Sequence, residues 1–174
     1  MLLTRNMIFA IFIASLLALS ISYIPTISMN KEIKTAPVFK QAQPVILDKK
    51  NLVDIISMLQ THVSPTHVNW QNNNLFLDYK VDAAKPIYVD DIYEDLYDSL
   101  QAAYFLTSNV QGLYVRVIYN EKGKNEVLIA LSAERTKDLL MGMEQISSIE
   151  EKKGFLNEFT TLSYGVLWKE KIQK

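Results

Sequence analysis

The stretch VDDIYEDLYDSLQAAYFL, residues 89–106, carries the clearest structural pattern in the chain. Its apolar residues recur every three or four positions, which predicts a long amphipathic helix after Pro86. The predicted buried face comprises Ile92, Tyr93, Leu96, Tyr97, Leu100, Ala103 and Tyr104. The predicted solvated, acidic face comprises Asp91, Glu94, Asp95 and Asp98. Such a helix needs a partner layer that covers its apolar side.

A β-hairpin is predicted on each side of this helix. Upstream, residues 68–70 and 75–81 flank the turn-forming sequence QNNN. In the second segment Leu75, Leu77, Tyr79 and Val81 alternate with Phe76, Asp78 and Lys80, which predicts a half-buried strand. Downstream, residues 113–119 and 126–132 alternate in the same way around a polar loop. These segments supply four strands of the predicted sheet.

A shorter apolar pattern at residues 52–63 predicts a helix before the first hairpin, with Asn51 as its N-cap. The order helix–hairpin therefore occurs twice. The sequences DIISMLQ at 54–60 and DLYDSLQ at 95–101 also resemble each other. This match raises the hypothesis of a duplicated α-β-β unit.

Two more helices and a last strand are predicted after the second hairpin. Thr136 is a suitable N-cap for a helix at 137–146, and Ser148-x-x-Glu151 has the form of a capping box for a helix at 149–159. Apolar alternation over 162–168 predicts a strand. The expected fold class is α+β, with helices packed on an antiparallel sheet.

The amino-terminal part has a different character. Residues 1–6 carry one basic side chain, and residues 7–24 are uncharged and rich in Leu, Ile and Phe. As a helix, residues 7–24 would be about 27 Å long, which matches the hydrocarbon layer of a membrane. Residues 25–49 contain three prolines and no clear period, and they are predicted to form a flexible stalk. Residues 50–174 are then one small domain.

Residues 7–24 are interpreted as a retained single-pass anchor in the plasma membrane. We expect the amino terminus inside and the domain outside the cytoplasm, because Arg5 adjoins the apolar run whereas Lys31 and later lysines begin beyond it. Small residues at Ala18-Leu19-Ser20 or Ser20-Ile21-Ser22 leave open the alternative of cleavage and secretion.

Composition excludes several classes of protein. Arg5 is the only charged residue in the first 30, which leaves 17 basic and 19 acidic residues in the rest of the 174-residue chain. A nearly neutral domain without a basic cluster is not expected to bind nucleic acid. The absence of cysteine excludes disulfides, thiolate metal sites and a cysteine nucleophile.

The candidates for chemistry are few. His62 and His67 are the only histidines, and their spacing across a Ser-Pro sequence is not that of helical metal ligands. We expect both to be loop histidines, with a metal site as the weaker alternative. No Gly-x-Ser-x-Gly motif or glycine-rich phosphate loop occurs, so neither a cofactor nor a catalytic residue is predicted.

Docking to a partner is the expected use of the exposed groups. The candidates for contact are Asp91, Glu94, Asp95, Asp98, Trp70 and Arg116. Trp70 is selected because it adjoins a turn, and Arg116 because it lies on the strand face opposite Leu113 and Val115. Arg116 and Arg135 are also candidates to bind a carboxylate or phosphate, and an ion pair with the acidic helix or simple exposure is the alternative for both.

These features predict a non-enzymatic, membrane-anchored protein-interaction module outside the plasma membrane. Its plan resembles that of many bacterial envelope proteins, although no shared motif supports the resemblance. Its expected partner is another envelope protein. The alternative is an exported small hydrolase or ligand-binding protein that uses His62, His67 and acidic residues.

Overall fold

A computed structural model describes residues 44–63, 65–84, 86 and 88–172. In this part of the chain, five strands form a single sheet in which sequence order equals spatial order. The strands are β1 Pro65–Gln71, β2 Asn74–Asp82, β3 Gly112–Glu121, β4 Lys124–Glu134 and β5 Thr161–Tyr164. The helices are α1 Leu52–Ser57, α2 Val89–Phe105, α3 Lys137–Gly142, α4 Ile149–Phe159 and α5 Val166–Lys171. The predicted α+β class is confirmed.

The sheet is mixed, so the prediction of an antiparallel sheet is wrong at its centre. The pairs β1/β2 and β3/β4 are antiparallel hairpins, and β4/β5 is antiparallel across a connection that contains α3 and α4. Strands β2 and β3 pair in parallel over their whole length, from Asn74 opposite Gly112 to Asp82 opposite Asn120. The helix α2 connects them, and such a crossover returns the chain to the end at which β2 began.

The core lies between α2 and one face of the sheet. Leu96, Leu100 and Tyr104 of α2 are at most 1% exposed, as the helical pattern predicted. From the sheet, alternate residues of β2 and β3 are buried. Leu113 and Val115 are fully covered. Burial of these side chains stabilises the fold by roughly 1.5–3 kcal/mol each.

The helices after β4 follow the predicted caps. The Thr136 side chain accepts a hydrogen bond from the Leu139 backbone, but α3 ends at Gly142, and a 3-10 turn, Met143–Gln145, replaces its predicted last turn. Both hydrogen bonds of the capping box between Ser148 and Glu151 are present. Helix α4 therefore has the predicted bounds.

Two boundaries differ from the predictions. Helix α1 ends at Ser57 instead of residue 63, and residues 59–63 form an irregular segment that contacts α2. The predicted strand at 162–168 ends at Tyr164, because the Gly165 N–H donates to the Leu128 carbonyl and a helix follows. That helix buries Trp168 with its ring at right angles to the ring of Tyr93, with centroids 6.0 Å apart.

The described fold begins before residue 50. Val45 pairs with Thr107 in an isolated bridge, and Leu47 is 2% exposed, although both fall in the predicted stalk. The predicted membrane segment at 7–24 lies outside the described residues. Among the residues that are described, no helix is both long enough and apolar enough to cross a membrane.

Candidate functional site

The side of the sheet that faces away from α2 is here called the open face. Side chains point to it from alternate positions of all five strands, and the strand register brings them into rows. One row is His67, Asp78, Arg116, Ala130 and Ser163. The next row is Asn69, Phe76, Tyr114, Ser132 and Thr161. Polar and aromatic groups therefore meet over the centre of the sheet.

An ion pair occupies the middle of the open face, and the partner of Arg116 in it is Asp78 of β2, not the acidic helix as predicted. Arg116 donates from Nε and Nη2 to the two carboxylate oxygens of Asp78, and both distances are 2.7 Å. The Asp78 side chain is 12% exposed and the Arg116 side chain 55% exposed. The hydrogen bonds and the charge of Asp78 raise the pKa of Arg116. The guanidinium is thereby held in one orientation with one edge in solvent.

An aromatic pair lies beside the ion pair. The rings of Phe76 and Tyr114 stack with centroids 4.9 Å apart and planes 12° apart. Tyr114 is 38% exposed, although it belongs to the central strand β3. The sequence predicted only that Phe76 lies on the polar side of its strand. It could not predict the stack, which depends on the parallel register of β2 and β3.

A depression of about 460 Å³ lies on the open face and is lined by residues of all five strands. Its floor consists of small side chains from β4 and β5, among them Ala130, Ser132 and Ser163. Tyr114 and Arg116 line it from β3. A second depression of about 370 Å³ shares Tyr114, Ser132 and Thr161 with the first. The two depressions adjoin at these residues and are here called the groove, and the volume of the first falls in the range of ligand sites.

A second cluster of polar groups lies on the helical side, around His62. The Asp95 carboxylate accepts hydrogen bonds from the backbone N–H groups of His62 and Val63, at 2.7 and 2.8 Å. It also contacts His62 Nδ1 at 3.0 Å. His62 Nε2 lies 3.6 Å from Glu94 and 3.9 Å from Asp91. Asp95 thus attaches the segment before β1 to α2.

Burial and charge act on these groups in opposite directions. Partial burial by itself lowers the pKa of His62, but the hydrogen bond to Asp95 and the nearby carboxylates outweigh it and raise that pKa. Burial raises the pKa of Asp95 despite its three hydrogen bonds. Burial also raises the pKa of Asp98.

The predicted acidic face of α2 is not a free acidic surface. Asp95 is 1% exposed, which corrects the prediction that it is solvated. Lys152 of α4 lies 3.7 Å from Glu94 and 3.8 Å from Asp98. Helical periodicity correctly predicted that the acidic residues lie opposite the apolar stripe of α2. It could not predict that residues 59–63 and α4 pack against this acidic face.

The two histidines do not converge. His67 is exposed on strand β1, not in a loop as predicted, and it lines the depression on the open face. His62 lies in the irregular segment and lines a different depression with Asp91 and Ile92. In the part of the chain that the structure describes, no group of three or more histidine and acidic residues is arranged to hold a metal ion.

Trp70 and Arg135 both have structural roles in the fold. Trp70 is half-buried and packs against the core, so it is not the exposed contact that its position near a turn suggested. Arg135 donates to the backbone carbonyls of Tyr104 and Thr107, at 2.9 Å each, and to that of Val110 at 3.4 Å. The predictions that Arg135 pairs with the acidic helix or is simply exposed are therefore wrong.

Comparison with known proteins finds no relative of this chain. The chain matches no known family model, and neither curated proteins nor solved structures include a significant match.

Proposed function

We propose that the chain is a non-enzymatic interaction module, anchored in the plasma membrane by residues 7–24, which binds another envelope protein through its open face. The observation that carries this proposal is the exposure of Tyr114 and Arg116 at the centre of the sheet. Tyrosine and arginine are enriched among the residues that dominate binding energy at protein interfaces.

The arrangement of these groups favours binding. Arg116 is oriented by Asp78, and the Tyr114 ring is oriented by Phe76, so little side-chain freedom is lost when a partner docks. The central position of β3 in the sheet makes this part of the surface rigid. A preorganised surface of this kind suits recognition and needs no catalytic group.

The location belongs to the same proposal and rests on the sequence alone. An uncharged run of about 27 Å at residues 7–24 suits a membrane-spanning helix, and Arg5 before it suits a cytoplasmic amino terminus. Residues 25–43 would then connect the anchor to the described domain. Secretion after cleavage is the alternative.

The repeated helix–hairpin order supports the further proposal of a duplicated α-β-β unit.

Topology can be tested with reporters fused after Lys174. Alkaline phosphatase should be active there, because it needs export, and a cytoplasmic fluorescent reporter should be dark. Mass mapping of the mature amino terminus should find residues 7–24 still attached. The opposite reporter pattern would exclude an outward-facing domain.

Partner binding can be tested by site-specific photocrosslinking in intact membranes. A benzophenone amino acid at position 114 should capture a defined protein, and the same group at Tyr88, which is 62% exposed, should not. The substitution Arg116→Glu should reduce the crosslink at position 114, because it repels Asp78 and changes the charge of the open face. Equal capture at both positions, or none at position 114, would contradict the proposal.

The alternative of a hydrolase that uses both histidines has less support. His62 and His67 line separate depressions, and Asp95 already engages His62. General acid–base catalysis requires the two groups to reach one substrate.

A further inference from the structure

We propose that the depression between Tyr114 and β5 on the open face binds a neutral sugar ring. The inference rests on the proposed function in one respect: it takes the open face as the binding surface. It goes further by giving that surface a ligand of defined chemistry, namely an uncharged saccharide.

The charges on the lining of the depression favour a neutral ligand. Besides His67, the ionisable groups that line the depression are Asp78 and Arg116, and these two neutralise each other through two hydrogen bonds. No lysine lines the depression in the described part of the chain. An anionic ligand therefore finds no uncompensated lysine or arginine in this depression, and a cationic ligand finds no free carboxylate. A neutral ligand is favoured because it does not have to break the ion pair.

The Tyr114 ring forms a flat aromatic wall on the depression. Phe76 covers one side of the Tyr114 ring, on the β2 side. The other side of the ring faces β4, where the opposite residue is only Ser132. Small side chains thus leave a flat aromatic surface open to the depression. The C–H face of a pyranose ring is the flat, weakly polar surface that stacks on such a ring.

Hydrogen-bonding groups on the lining of the depression also favour a sugar. Within the described residues, the hydroxyl groups of Ser132, Thr161 and Ser163 make no side-chain hydrogen bond, and Arg116 Nη1 makes none either. All of these residues line the depression. Hydroxyl groups both donate and accept, so they match the hydroxyl groups around a sugar.

A peptide ligand fits less well. Peptides that bind sheets usually pair with a free edge, where backbone N–H and C=O groups are available. Strands β3 and β4 are flanked by strands on both sides, so around Tyr114, Arg116 and Ser132 the depression offers side chains only. Recognition by several hydroxyl groups and one aromatic ring favours a saccharide over a backbone.

The inference can be tested by NMR titration of the full-length chain in dodecylphosphocholine micelles, a detergent without a sugar group. The probes are cellotetraose, maltotetraose and chitotetraose, with tetragalacturonate as the charged comparison and the peptide Gly-Ser-Gly-Ser as the peptide comparison. At least one neutral oligosaccharide should shift the amide signals of Tyr114, Arg116, Ser132 and Ser163 in a saturable manner.

Variants make the test specific. Tyr114→Ala should weaken binding about five- to tenfold, the loss expected for one stacking contact. Ser163→Leu should abolish it, because the larger side chain fills the floor while the wall stays intact. Tyr88→Ala is the matched control, since it removes an exposed tyrosine outside the open face, and should leave binding unchanged. Thermal unfolding of each variant checks that it is folded.

The other outcomes distinguish failure of the sugar site from failure of the proposed protein partner. No shift with any of the three neutral probes excludes a site for these sugars, equal binding of tetragalacturonate excludes neutral selectivity, and binding of Gly-Ser-Gly-Ser alone assigns the site to peptides. A protein crosslink at position 114 without sugar binding would overturn only this inference. Sugar binding without any protein crosslink would support it and overturn only the proposed protein partner.

Discussion

At the residue scale, Asp95 joins two parts of the fold through one buried carboxylate. It accepts from the backbone of His62 and Val63 and from the His62 ring, while its own backbone carbonyl accepts from Ser99. Ser99 in turn contacts the Tyr79 hydroxyl of β2 at 2.7 Å. The loop before β1, the helix α2 and the sheet are thus connected by hydrogen bonds.

The substitution Asp95→Asn should lower the free energy of unfolding by about 1–3 kcal/mol, because the two backbone N–H groups donate to different carboxylate oxygens and one of these oxygens becomes an NH2 group that cannot accept. Urea unfolding of the full-length chain measures the change. Asp91→Asn is the matched control on the same helix, and it should cost less than about 0.5 kcal/mol since its contact to His62 is long. Similar losses for both variants would contradict the role assigned to Asp95.

His62 should make stability depend on pH. Its pKa is raised above 6.5, so the folded state binds the proton more tightly than the unfolded state. The stabilisation is fully present below pH 6.5 and is lost as pH rises through the raised pKa. Unfolding free energies between about pH 6 and pH 8.5 should fall more in the wild type than in His62→Gln. Parallel curves would show that His62 does not contribute.

At the element scale, two glycines test how the C-terminal elements pack. A Cβ at Gly165 would overlap the backbone carbonyl of Val127, whereas a Cβ at Gly154 in α4 meets no atom within 4 Å. Gly165→Ala should therefore destabilise the domain by about 1–3 kcal/mol. Gly154→Ala should stabilise it by about 0.5–1 kcal/mol, because alanine favours a helix interior. Thermal or urea unfolding of the pair checks both signs, and destabilisation by Gly154→Ala would contradict this packing.

Arg135 completes the carboxyl-terminal end of α2. Its guanidinium donates to carbonyls at that end and lies 5.6 Å from the centre of the Tyr104 ring. Arg135→Lys should cost about 1–3 kcal/mol, because an ammonium cannot reproduce the planar fork that reaches several carbonyls. Arg116→Lys should cost at most about 1 kcal/mol, since Arg116 is largely exposed. The ratio of the two losses in urea unfolding is the measurement, and equal losses would refute the difference in roles.

At the scale of the whole molecule, protection should decrease from the centre of the sheet to its edges. Strand β3 is paired on both sides, and its inward side chains Leu113, Val115 and Val117 are at most 2% exposed. Its amides should exchange with deuterium most slowly, and those of the edge strands β1 and β5 faster. Hydrogen exchange followed by NMR or mass spectrometry tests this order. Faster exchange in β3 than in β5 would indicate that the sheet opens at its centre.

The open face was only partly predictable. Alternation placed Arg116 and Phe76 on the polar side of their strands, and the structure agrees. The partners were not predictable, because Asp78 meets Arg116, and Phe76 meets Tyr114, only when β2 and β3 run in parallel at one particular register. The prediction that Asp95 is solvated is wrong, because helical periodicity describes one helix without the segments that pack against it.

The sequence by itself determined the elements whose causes are local: the amphipathic helix α2, the two hairpins with their turns, and the caps at Thr136 and Ser148. Periodicity and capping act within a few residues, so they can be read in the chain. The tertiary structure decided the direction of β3 beside β2, the end of the last strand at Tyr164 and the groove on the open face. These features depend on contacts between residues far apart in sequence, where packing outweighs local preference.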